Sequence, residues 1–509
     1  MDPEVIDVNG VVNGSLPKNA IYDKYPDGRE YATQRPNLSL TSVASSYSVP
    51  AKGRGIYYWN AVSSYVIVNN DTVYYGDYTL PWAQKITAGK LPVTILEIGQ
   101  YLVILDCENN EGWYVHITAP TILAKITDPN FPPNQTPALQ LSGGGCVLDG
   151  LLYVMSTDKY IWNSASYDPT TWNAIDFIRA EREEDVGVYL TKHHDHIVAF
   201  GARSIEFFYD AGNPVGSPLT RRDDVAYRIG PLDNWSVFST DDKAYFLGSE
   251  KAGAVGLFEL SQFIPRKVSN VSVDQFFSIE RARFGLNFLL CGFTTGSHHL
   301  IFITSYLPTN SSVIEEYTVV YDASIGVFYE YQATIGGVTQ FGVISVSSRN
   351  SAIEREPSMM FSSGDIGIFD FSFLKLDTTG NGAYFSTTDY ISDQSDYLFT
   401  VGGNSTNNFE FIVKLPENDA GTVTNKFVER MSVVGTTTSS GQDSSPIYVS
   451  WSDDHYRTFS AERPLHTGLN RYLTRGGKFK RRAYQLRYTG SDFLRIEGIE
   501  LDIRASQYA

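Results

Sequence analysis

The sequence predicts an all-β protein, and more narrowly a β-propeller of about six blades. Three observations predict it. A unit of short strand, polar turn and second strand recurs, beginning afresh at intervals of roughly 35 to 60 residues, near the ~40–50 residue period of propeller blades. The composition holds 33 Tyr, 29 Phe and 42 Gly, a mix that suits pleated half-buried strands joined by turns. Runs of Ala, Leu, Glu and Lys that would favour helices are nearly absent.

The units follow in order. In "SYVIVNNDTVYYGD" (64–77) Val66–Val68 and Val73–Tyr75 flank Asn-Asn-Asp, residues that tolerate the left-handed backbone of a tight turn. Residues 100–118 repeat the arrangement around "ENNEG". Residues 146–164 do it twice, through Asp149-Gly150 and then Ser156–Asp158. Further units lie at 194–212, 243–260, 299–332 and 358–371. Regular short strands also admit a sandwich or a barrel; so many similar units in one chain favour the propeller. Residues 1–50, rich in Pro, Asn and Ser, read as an extended arm laid over a body at 51–375. From 376 to 509 the turns lengthen and gain Gly, Thr, Asn and Ser, which marks a separate β module or a last blade with long loops.

Charge and cysteines narrow the function classes. A formal charge of −17 and a pI near 4.9 argue against gripping nucleic acid over the whole surface, because phosphate contacts need Lys and Arg. Cys107, Cys146 and Cys291 are widely spaced and form no Cys-x-x-Cys pair, so free thiols are expected rather than a disulfide framework or a zinc site. The first residues lack a basic region followed by an apolar core, so no signal peptide is expected. No stretch approaches 18 consecutive apolar residues, so no membrane insertion is expected.

Candidate chemistry is sparse. "KHHDH" (192–196) superficially resembles a metal cluster, but a strand would put only His194 and His196 on one face, and nothing nominates further ligands. Gly143–Gly145 precede a strand and not a helix, so they do not form a phosphate loop. No Gly-x-Ser-x-Gly, His-Glu-x-x-His or P-loop pattern occurs. In "WSDDHYRTFS" (451–460) Asp453 and Asp454 stand beside His455, yet neighbours on a strand point to opposite faces and cannot easily flank one glycosidic bond. Ser452, Asp454, Thr458 and Phe459 instead match the Asp-box hairpin of sialidase-type propellers, with Tyr456 where glycine is usual. There the carboxylate accepts backbone N–H bonds and the aromatic packs beneath. No catalytic residue, metal or cofactor is expected. In an acidic chain, residues 464–491 contain no carboxylate side chain and carry Arg471, Arg475, Lys478, Lys480, Arg481 and Arg482. These are candidate subunit or partner contacts, or else a solvated strand face.

The order of short signatures along the chain resembles the tail stabilisation (nozzle, or hub) proteins of short-tailed, P22-type bacteriophages. Gln34, Arg35 and Asn37 match an opening segment. Arg54-Gly55 precede a hairpin, and Phe200, Gly201, Ser204, Ile205 and Glu206 match a mid-chain strand. Leu247-Gly248 and Arg266 follow, and Asp453 falls where the last strand of the family lies, with Asp454 in place of its usual glycine. The resemblance implies a structural protein of the virion tail and not an enzyme. It implies a homo-oligomer, typically a six-membered ring below the portal and adaptor, which extends the DNA channel, helps to retain packaged DNA and docks fibres, spikes or a needle. Double-stranded DNA would pass without tight binding, and assembly would occur in the host cytoplasm. The competing readings are a propeller glycosidase or depolymerase, or a lectin, acting on host surface polysaccharide.

Overall fold

The computed structural model describes residues 4–7, 16–24, 28–35, 37–41, 52–76, 82–240, 242–249, 255–285, 287–295, 298–307, 312–335, 338–348, 357–361, 366–370, 410–419, 424–437, 446–465, 472–489 and 494–505. Among them, seven small antiparallel sheets follow one another along the chain, and the first strands of successive sheets touch in a closed ring. This is a β-propeller.

Blade 1 comprises Gly53–Trp59, Ser64–Asn69, Thr72–Gly76 and Trp82–Lys85. Blade 2 runs from Thr94–Ile98 to Ala119–Lys125, and blade 3 from Cys146–Leu148 to Asp168–Arg179. Blade 4 runs from Gly187–His193 to Leu219–Tyr227, with Gly143–Gly144 added in parallel to its first strand. Blade 5 centres on Lys243–Ser249 and ends at Ile264–Lys267. Blade 6 runs from Asn287–Thr295 to Val327–Tyr331. Each of the seven hairpins read from the sequence lies in its own blade, one more than the expected count of about six. The turns have the backbone that their residues favour: Asn70, Asn110 and Asp149-Gly150 all take positive φ.

Blade 7 has Val343–Ser348, Pro357–Phe361 and Ile366–Asp370, and its outer strand is Asn37–Thr41, which precedes blade 1 in the chain. That strand falls within the stretch expected to be an extended arm. Closing the ring with a distant strand ties two separate segments of the chain into one sheet and leaves no open seam between first and last blades.

Beside the short hairpin of Ala333–Ile335 with Val338–Gln340, the remaining described strands build two larger sheets. One orders Phe411–Lys414, Ala483–Tyr488, Ile447–Ser452 and Arg463–Leu465. The other is built on Lys426–Thr437 and Leu494–Ala505, and takes in Glu4–Asp7, Ala20–Lys24 and Glu30–Gln34 from the N-terminal region. One hydrophobic core joins Phe302, Tyr329 and Tyr331 of blade 6 and Met359 and Phe361 of blade 7 to Val428, Met431, Tyr484, Leu486 and Ile499. A single α-helix among the described residues, Val271–Phe284, is capped by Asn270 Oδ1, which accepts the Val273 amide, and ends at Gly285 in the left-handed region.

Candidate functional site

The hairpin at 451–460 is the first place to look for chemistry, and its hydrogen bonds close inward. Ser452 Oγ donates to Asp454 Oδ1 (2.8 Å) and accepts the Tyr456 amide (2.9 Å). Asp454 Oδ1 accepts the amides of Arg457 and Thr458 (3.1 and 2.9 Å), and Oδ2 accepts the Thr458 hydroxyl (2.6 Å). These donors, Thr458 foremost, hold the carboxyl down at about 2. His455 and Tyr456 both take positive φ, so Tyr456 adopts the backbone for which glycine is usual. The half-buried Phe459 ring lies 5.5 Å from the Lys414 ammonium.

Asp453 points elsewhere. Its two oxygens receive Arg482 Nε and Nη2 at 2.7 and 2.8 Å, a bidentate pair. Arg482 is 2% exposed, donates also to the carbonyls of Gly476 and Lys478, and lies over the rings of Trp451 and Phe479. That corrects its reading as a partner contact: its charge is spent inside the chain, fastening the hairpin to the neighbouring strand. Arg475, Lys478, Lys480 and Arg481 are exposed on the edge strands Leu473–Thr474 and Lys478–Phe479 and the turns beside them. Arg471 lies outside the described residues.

The "KHHDH" stretch is a turn, with His194 at positive φ. His193 is fully buried, and the Phe263 ring lies 5.2 Å from it and 4.7 Å from His196. Burial, then the neighbouring His194 and His196, push His193 down to about 4. Among the described residues, no group of three or more His, Cys, Asp or Glu side chains is placed to hold a metal ion. All three cysteines are free; Cys146 and Cys291 are buried, and burial pushes the Cys107 thiol up to about 12.

The signature residues form fastenings between blades. Arg54 of blade 1 is fully buried. Its Nη2 meets Asp106 Oδ1 of blade 2 at 2.7 Å and Glu108 at 3.5 Å, while Nε donates to the Leu91 carbonyl at 2.8 Å. Glu206 of blade 4 receives Lys159 Nζ of blade 3 at 3.1 Å, and the same ammonium reaches Asp185 at 2.7 Å and Ser204 Oγ at 3.1 Å. Gly201 sits where a Cβ would press on Asp185 and Ser204, at 2.4 Å from each. Arg35 is fully buried and donates to Asn19 Oδ1 and the Gln332 carbonyl. Sequence reading missed Lys159, Asp185 and Asp106. No local motif marks them, and their partners lie about 20 to 50 residues away.

The propeller axis is narrow. A cavity of about 240 Å³ is lined by the inner strands, with Ile56, Val93, Tyr189, Val237, Leu290 and Ile344 among its walls. A DNA duplex, whose major groove alone is about 12 Å wide, does not fit in that volume.

Residues 39–282 match the family model described as bacteriophage P22 Gp10, β-propeller. Over those residues, just under half of its length, the chain is similar to the P22-type tail stabilisation family. The match spans blades 1 to 5 and includes Arg54, Gly201, Ser204 and Glu206; Gln34, Arg35 and Asp453 lie beyond it. The match supports a structural role in the phage tail and a place in the virion. Among solved structures, the chain is similar to BamB from Moraxella catarrhalis, with 11% identity over 72% of this chain and 100% of that one and a TM-score of 0.36. It is similar to the computationally designed Ika8 protein, with 8% identity over 63% and 96% and a TM-score of 0.33. A chain of the mitotic checkpoint complex shows 10% identity over 62% and 88% and a TM-score of 0.35. None of the curated proteins matches the chain. Among the described residues, no helix is long and apolar enough to cross a membrane.

Proposed function

We propose that the chain is the nozzle or hub subunit of a short phage tail. Copies form a ring, of six by family resemblance, below the portal and its adaptor. The ring extends the DNA channel, helps to retain the packaged genome, and offers its outer surface to fibres, spikes or a needle. The observation that carries this reading is the family match over five consecutive blades.

The closed axis then constrains how the genome travels. A 240 Å³ cavity walled by side chains cannot admit a duplex, so DNA passes between copies and beside their propellers. A channel bounded by such copies inherits the excess of carboxylates that gives each chain its −17 charge, and it repels phosphate instead of holding it. In this reading the body at 51–375 is the propeller unit of the ring, and residues 376–509 are a module that offers contacts to other chains, further copies included. The role needs no catalytic group or cofactor. Cryo-EM of the purified full chain or of the virion tests it: a closed ring around an acidic bore is expected, and a monomer with an open cleft, or a basic bore, defeats it.

A further inference from the structure

We propose that the exposed edge of the C-terminal module is one half of the contact between copies, and that its mate is the acidic boundary of blades 3 and 4 on the next copy. This rests on the ring reading and says which surfaces would meet in it.

The edge is unusual for this chain. From Leu473 to Arg481 there is no carboxylate, and Arg475, Lys478, Lys480 and Arg481 are all exposed. No described carboxylate forms an ion pair with any of the four, whereas Arg482 beside them is buried on Asp453. Apolar surface accompanies the charge: Phe427 and Tyr472 are 42% and 48% exposed. Phe427 stands between Lys478 and Arg504 on neighbouring strands, and Arg430 lies 4.4 Å over the Tyr472 ring. An edge strand with aromatics among cations presents both an unpaired backbone and a charged face, and aromatic residues with Arg are what protein interfaces favour.

The partner follows from charge and placement. In a chain of net −17, four cations without acidic company are complementary to the surface of another copy. Asp149, Asp195, Asp210 and Asp224 gather in a hollow at the blade 3–4 boundary, offset there by Arg222. The module shares its core with blades 6 and 7, which lie across a seven-bladed ring from blade 3. Unlike surfaces on opposite sides of one subunit are what a closed head-to-tail ring requires.

The test uses full-length chain, half of it labelled with nitrogen-15, mixed and assembled. A carbodiimide then joins lysine amines directly to carboxylates. Isotopically mixed cross-links from Lys478 or Lys480 to Asp149, Asp195, Asp210 or Asp224 are expected. The R475E/K478E/K480E/R481E chain is expected to lose its ring in native mass spectrometry and to regain it when mixed with a D149K/D195K/D210K/D224K chain. Rings that persist in the first variant overturn the pairing and leave the ring reading standing. A wild-type chain that stays monomeric at every concentration reached overturns both. Unchanged rings with weakened retention of duplex DNA would assign the edge to DNA and overturn the pairing.

Discussion

The propeller and the basic edge of the C-terminal module handle positive charge in opposite ways. In the propeller, Arg54 and Lys159 are 0% and 3% exposed and each meets two carboxylates from other segments. In the module, Arg475, Lys478, Lys480 and Arg481 stand in solvent beside one buried arginine, Arg482. A buried cation must be matched by carboxylates and carbonyls, so its position is dictated by the fold. An exposed one is free of that demand. The difference separates residues that hold the blades together from residues left for something outside the chain.

The comparison breaks most visibly at Lys159. Lys159→Met leaves Asp185, 3% exposed, without its cation, and leaves Glu206, 1% exposed, with Arg221 alone at 3.7 Å. A loss of about 3–5 kcal/mol is expected, the range for removing one partner of a buried ion pair. Arg54→Ala leaves Asp106 fully buried and unmatched, and a loss in the same range is expected. Urea unfolding of each variant measures both. In the double change Arg54→Met with Asp106→Leu, which removes both charges, most of the loss should return. A single-variant loss below about 1 kcal/mol would show that these pairs do not fasten the blades.

Hairpins were legible because their turns are coded locally: Asn70, Asn110 and Asp149-Gly150 stand where the backbone turns left-handed. The closure of blade 7 was not, since nothing near Asn37–Thr41 announces a partner at Ile366–Asp370 some 330 residues on. The same holds for Lys159, which looks like any turn lysine until blade 4 arrives beside it. Within the candidate site, Ser452, Asp454 and Thr458 could be read together because they bond within six residues. Arg482 could not, because strand alternation places a side chain on a face without saying what covers that face.

A smaller effect should follow from the buried imidazole of blade 4. His193 titrates at about 4 in the fold, below its ordinary 6.5, so the folded chain holds the neutral ring while the unfolded chain takes a proton. Stability should therefore fall as pH drops from 6.5 towards 4 and level off below that. The neighbouring His194, His196, Arg222 and Asp242 share the region, with Asp242 the one carboxylate that favours charge on His193. Unfolding midpoints of wild type and His193→Leu across this window check it: the variant should lose most of the slope.

Asp454 should move stability less, and in a lower pH range. Its carboxyl is held at about 2 against an ordinary 3.8, so its contribution is present above 3.8 and disappears as pH falls through 2. Asp454→Ala should lower the thermal midpoint modestly at neutral pH and make no difference at the acid end. An equal loss at both ends would mean that the hairpin depends on the residue's shape and not on its charge.

The smallest effect expected is none. Reversing Arg475, Lys478, Lys480 and Arg481 to Glu should leave unfolding of the isolated chain within about 0.5 kcal/mol of wild type, since surface substitutions away from caps, cores and buried pairs rarely do more. No described carboxylate pairs with these four, so no intramolecular attraction is lost; and because the chain is already strongly acidic, any penalty should take the form of salt-dependent repulsion. Measuring the variant at low and high salt separates the two. A large loss that salt does not relieve would put these cations in the same class as Arg54 and Lys159, with a structural partner inside the chain. Unchanged stability together with altered assembly would fix the division between the two regions: buried cations build the propeller, and exposed ones face its neighbours.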